Sequence, residues 1–264
     1  MNENKTSILP DVITPVSDAI HQNLPETEKQ ADGALSTVVG FFNNVVLYPV
    51  KKANLTFRYK LEAFEDDLKE KIKGIPAENL QVPPTMIAGP TLEALRYTYD
   101  ESELREMYEN LLASAMDTRK VSEAHPAFVD AIRQMSPLDA QLLAEIADKG
   151  QLRCGEVHFQ LKGSVQYYTK AMPNHFVLEL CNFADPFAVS ASLINLERLG
   201  LLQITEGGIQ GENYDGMKSH PYVLQRANIF KQFGKEFEIY ISKHALRLNN
   251  FGSQFAKICL AKEL

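Results

Sequence analysis

The stretch DPFAVSASLINLERLGLLQIT, residues 185–205, decides the fold. Its pattern predicts a helix over 186–199, stopped at Gly200, running directly into a strand over 201–205. Leu193, Leu196 and Leu199 fall on the side that faces a core, and Ser192, Asn195 and Arg198 on the side expected to face out. Upstream, SPLDAQLLAEIADKG (136–150) reads as a helix with Ser136 as its cap, Pro137 in its first turn and Gly150 as its stop. EVHFQLK (156–162) then alternates, with Val157, Phe159 and Leu161 pointing one way. Downstream, a Gly-rich stretch over 207–216 reads as a wing or surface loop. EFEIYIS (236–242) alternates through Phe237, Ile239 and Ile241, and a further strand is expected near 244–249. FGSQFAKICLAKEL closes the chain as a helix. Helix, helix, then a strand pair joined by a long loop is the order of a winged helix.

The N-terminal half reads as helical. Phe57, Leu61, Phe64, Leu68 and Ile72 form one apolar stripe, and DESELREMYENLLASAMD (100–117) lines Leu104, Tyr108, Leu111, Leu112 and Ala115 along one side. A cap is expected at Asp100 or Ser102. In VPPTMIAGPTLEALRYTY (82–99), Gly89-Pro90 is an expected break. The fold class is therefore α+β, predominantly α-helical: a helical region over 1–134 followed by a winged-helix-like region over 135–264.

The middle of the chain carries a resemblance. A Pro-rich lead into GPTLEALRY, the acidic start of ELREMYENLLASAMD, HPAF at 125–128 and SPLDAQLL at 136–143 together resemble the abortive-infection-alpha family. The similarity covers roughly residues 50–150, with a looser likeness in LRLNNFGSQFAKICL. It implies a bacterial antiviral-defence role, through host-cell shutdown or death on phage infection. It supplies no functional residues to carry over.

Composition narrows the function. The chain has 264 residues, 45% hydrophobic and 23% charged, with a net charge of −7. Residues 51–73 carry +2, and no longer region is basic. Binding to nucleic acid wants a basic face; here only Ser192, Asn195 and Arg198 are placed to read bases, with Arg198 as their one cation. A DNA-binding transcriptional regulator is thus the alternative reading. Three cysteines, at 154, 181 and 259, fit a reducing cytoplasm rather than a disulfide framework. The N-terminus has no basic region leading into an apolar one, so no secretory signal is expected.

Catalytic patterns are scarce. GGIQGENYDG lacks the Gly-Lys-Ser/Thr of a phosphate-binding loop. Cys154, His158, His175 and Cys181 offer soft sulfur and imidazole ligands for zinc, but at spacings that match no familiar finger. His125 is expected to cap or pack at a helix start beside Pro126. Asp66 and Asp67 belong to a solvated face with Glu65–Lys69 and Asp67–Lys71 pairs. We therefore expect no enzyme, no cofactor and no small-molecule substrate, and a protein partner or self-association instead.

ALSTVVGFFNNVVLYPV (34–50) carries no charge. As a helix it would reach about 25 Å, short of a membrane span. Phe41, Phe42 and Val45 lie in one apolar arc, while Ser36, Gly40 and Asn44 recur every four residues and admit a close neighbour. Two readings stay open. One is a core helix contacted on two sides; the other is a membrane-active helix released on activation, giving a cytoplasmic protein a peripheral membrane state.

Overall fold

The computed structural model describes residues 33, 36, 55–163, 167–168, 172–231 and 236–262. Gly40, Phe41, Phe42 and Val45 lie outside the described residues. The fold is α+β and mostly helical, with an antiparallel sheet. Among the described residues, no helix is long and apolar enough to cross a membrane.

From Leu55 onward the described residues run through five α-helices before the sheet: α1 (Leu55–Ile72), α2 (Thr85–Thr98), α3 (Ser102–Ala115), α4 (Ala127–Arg133) and α5 (Pro137–Lys149). From α1, Phe64, Leu68 and Ile72 are buried as their spacing predicts. The helix α3 is central, burying Leu104, Met107, Tyr108, Leu111, Leu112 and Ala115 against its neighbours. Its N-cap is Glu101, without a side-chain bond, rather than Asp100 or Ser102. The expected break at Gly89-Pro90 does not occur: α2 runs through it. Pro90 and Met86 both lie on the exposed side, so the carbonyl that Pro90 leaves without a helical partner is open to water. The start of α5 is a capping box, with Asp139 N–H donating to Ser136 Oγ and Ser136 N–H to Asp139 Oδ2. Gly150 ends it at φ 75°.

The sheet has the order β2-β1-β4-β3, all pairs antiparallel: β1 (Leu152–Leu161), β2 (Tyr167–Tyr168), β3 (Leu202–Glu206) and β4 (Phe237–Leu248). The two late strands expected separately are one, β4, pairing with β1 from Leu152↔Leu246 to Leu161↔Phe237. Between β1 and β3 lies α6 (Pro186–Arg198). Its end is the predicted one: Gly200 at φ 74°, with Leu201 N–H donating to the Leu196 carbonyl.

The expected loop over 207–216 is turn and irregular chain as far as Tyr214, and its last two residues begin α7 (Asp215–Lys218). With α8 (Pro221–Lys231), which follows, α7 covers one face of the sheet. Val157, Phe159 and Ile241 meet Tyr214, Met217 and Val223 there. Gly155 makes the approach possible, since a Cβ would lie 2.7 Å from Met217 Sδ. Tyr214 pins the turn by donating to the His244 carbonyl at 2.7 Å and accepting from Ile209 N–H.

The last helix, α9 (Asn250–Cys259), returns to the helical half. Phe255, Ile258 and Cys259 join the cluster that also holds Phe64, Leu111 and Leu196. Its first turn crosses β3 so closely that a Cβ on Gly252 would lie 1.9 Å from the Leu201 carbonyl oxygen. Backbone cannot yield as a side-chain tip can. Gly252→Ala is expected to cost about 3 kcal/mol and lower Tm by roughly 6–12 °C. A thermal melt within a degree of wild type contradicts this packing.

Candidate functional site

The inner side of α6 buries Val189, Ser190, Leu193 and Leu196. Asp185 caps it through Phe187 N–H, and Pro186 supplies the first turn. Of the three residues expected to face out, Ser192 is buried at 6% exposure, because α6 packs on more than its leucine edge. Asn195 turns toward the α4–α5 corner, donating to the Gln134 carbonyl and to Asp139 Oδ2, both at 3.0 Å. Arg198 forks onto Asn195 Oδ1 and reaches Gln134 Oε1 at 3.1 Å. These contacts tie α6 to the start of α5.

The first turns of α6 show an apolar face to solvent, and the last turn adds exposed Glu197 and Arg198. Phe187 is 42% exposed and Ile194 41%, with Ala188 and Ala191 between them. Residues 187, 191 and 194 fall within about 60° of one another on the helix. The Arg226 guanidinium of α8 lies 6.0 Å from the Phe187 ring, at the edge of this face.

The sulfur and histidine set lands partly together. The β1–β4 register places Cys154 opposite His244, Glu156 opposite Ser242 and His158 opposite Tyr240. Glu156 sits between two imidazoles, 3.4 Å from His158 Nε2 and 4.0 Å from His244 Nε2. Burial holds His158 below the usual histidine range against the pull of Glu156. Burial likewise lowers His175, with Glu197 and Glu156 opposing. Burial first, then the charges of Glu156 and Glu197, push the Cys154 thiol up to about 12. Cys181, raised to about 11 by burial and Glu179, bonds its own helical turn at the Val177 carbonyl. Thiols held protonated are poor nucleophiles. Among the described residues, no three or more His, Cys, Asp or Glu side chains converge to hold a metal ion. Glu156 and His244 belong to no motif in the sequence. Only the pairing of strands about ninety residues apart brings His244 to Cys154.

A second charged centre joins α1 to α3. Glu109, 4% exposed, lies 3.6 Å from Arg105 Nε and 3.7 Å from Lys71 Nζ. Burial and Asp67 push its carboxyl up to about 7, against Lys71 and Arg105. Lys69 pairs with Glu65 as expected, but Lys71 turns inward to Glu106, Glu109 and Asn110 instead of to Asp67. His125 takes the expected structural role: its Nδ1 accepts from Ala127 N–H and its ring packs on Phe128 and Phe251.

The elements described here, from α1 to α9, coincide with one family. Residues 56–259 match the model of the family described as abortive infection alpha, so the chain belongs to that family. The match extends past the stretch that carried the resemblance and takes in the sheet and α9. No curated protein and no solved structure matches the chain.

The histidines give the centre on β1 a testable pH response. A histidine lowered by burial binds its proton more readily in the unfolded chain, so its contribution to stability is lost as pH falls through about 6.5. His158→Gln/His175→Gln is expected to lose less Tm than wild type between pH 7 and pH 5. Parallel Tm-against-pH curves contradict the assignment.

Proposed function

We propose that residues 137–248 form a winged-helix unit whose recognition-helix position is held by α6, and that the protein serves abortive infection by contacting another protein through the outer face of that helix. The element order supports the first part: α5, β1, a short turn at Leu178–Leu180, α6, β3 and β4, with β4 between β1 and β3. One observation carries the second. Where a DNA reader presents cations and amides, α6 presents Phe187, Ala191 and Ile194, and its Asn195 and Arg198 are engaged with Gln134 and Asp139. Exposed aromatic and aliphatic side chains on one rigid helix suit a protein partner. Acting by contact, the protein needs no chemistry of its own and works from the cytoplasm. A membrane step would fall to residues 34–50, and liposome flotation of wild type against a folded Phe41→Asp/Val45→Asp variant tests it.

The main test is phage restriction in cells producing the protein, compared with Phe187→Asp/Ile194→Asp at matched abundance and melting temperature. Both positions are exposed, so the fold is expected to hold and restriction to fall at least about tenfold. Unchanged restriction, together with salt-sensitive DNA binding lost in Arg198→Ala, overturns the contact reading in favour of a regulator.

A further inference from the structure

The exposed side of α6 is polarised along its length. At its start stands Asp185, exposed, with Oδ1 accepting from Phe187 N–H. At its end stands Arg198, exposed, with its guanidinium bonded to two neutral oxygens, Asn195 Oδ1 and Gln134 Oε1. Among the described residues neither Asp185 nor Arg198 touches a group of opposite charge. Glu197 lies about 100° round the helix from Arg198 and turns to β3, where its Oε1 accepts from Ile204 N–H at 3.4 Å.

Between these ends the exposed apolar positions are Phe187, Ala188, Ala191 and Ile194, two large side chains with two alanines between them. Small residues in the middle of a helix face let a second helix approach closely. Large ones on either side then pack beyond the crossing point. A helix that is negative at its start and positive at its end matches an identical helix in one orientation, the antiparallel one. A two-fold axis beside Ala191 produces that match. It sets Ala191 against Ala191 of a second copy, Phe187 beside the second copy's Ile194, and Asp185 beside the second copy's Arg198, each of the last two contacts occurring twice.

We propose that α6 is a self-association face, through which two copies of this chain pair antiparallel about Ala191. The inference names the partner of the contact face proposed above and rests on that reading. A face of two large side chains and two alanines is small, so the pair forms reversibly rather than as an obligate dimer.

Sedimentation equilibrium of the whole chain across the micromolar range tests the pairing. Wild type is expected to pass reversibly from monomer to dimer and to stop there. Ala191→Phe, at an exposed position, is expected to weaken the dimer at least about tenfold, because the two new rings collide at the axis. Tighter association of Ala191→Phe marks general hydrophobic adhesion and overturns the proposal. Arg198→Glu is expected to weaken the dimer, and mixing it with Asp185→Lys to restore pairing between the two variants, since both contacts are then attractive again. A mixture no better paired than its components overturns the antiparallel arrangement. Ala191→Cys is expected to form a disulfide with itself under mild oxidation, where wild type, whose Cys154 and Cys259 are buried, does not. The dimer and the contact face fail separately. A wild type that stays monomeric but loses restriction in Phe187→Asp/Ile194→Asp removes only the second copy as partner. A dimer dispersed by that variant with restriction unchanged removes only the role of the face in defence.

Discussion

Asn249 joins four elements at a single point. Its side-chain amide donates to the Gly200 carbonyl at 2.8 Å and to the Leu202 carbonyl at 3.3 Å, and its Oδ1 caps α9 through Gly252 N–H. Its own N–H donates to the Leu201 carbonyl, the atom against which Gly252 rests. The end of α6, the start of β3, the end of β4 and the start of α9 therefore form one joint. From it α9 enters the helical half, where Phe255 packs on Phe128 and the Cys259 carbonyl accepts from Asn110. One apolar cluster then runs from Phe64 to Cys259. The apolar face of α6 is presented by a helix fixed at both ends.

The sequence was most legible where structure is set locally. Ser136, Pro137 and Gly150 delimit α5 because a cap, a fixed φ and a left-handed stop act within a few residues. Gly200 marks the α6–β3 turn for the same reason. The stripe on α1 and the alternation in β1 and β4 follow from burial on one side. Legibility failed where tertiary contact overrode a local signal. Pro90 announced a break, yet α2 runs through it with the proline on its exposed side. The glycines of 207–216 announced the loop that runs to Tyr214, but not that Tyr214 would bond the His244 carbonyl or that Met217 would lie against Gly155, some sixty residues away.

The candidate sites follow the same division. The amphipathic pattern of α6 was readable, yet which polar residues would remain free was not. Asn195 is engaged by the Gln134 backbone carbonyl and Arg198 by the Gln134 side-chain Oε1, both at the α4–α5 corner. Likewise the sequence singled out Cys154, His158 and His175 but not the burial that shifts them or the carboxylates Glu156 and Glu197 beside them, because both arise only through sheet register and helix packing.

The account rests on α6 acting as a protein-contact face, and photo-crosslinking from that face tests it most directly. A photoreactive amino acid in place of Ala191, the exposed residue between Phe187 and Ile194, would be activated in cells before and after phage infection. The account predicts a discrete protein adduct that disappears when Ile194→Asp is added. Adducts to DNA or lipid, or no adduct in cells that still restrict phage, would contradict it.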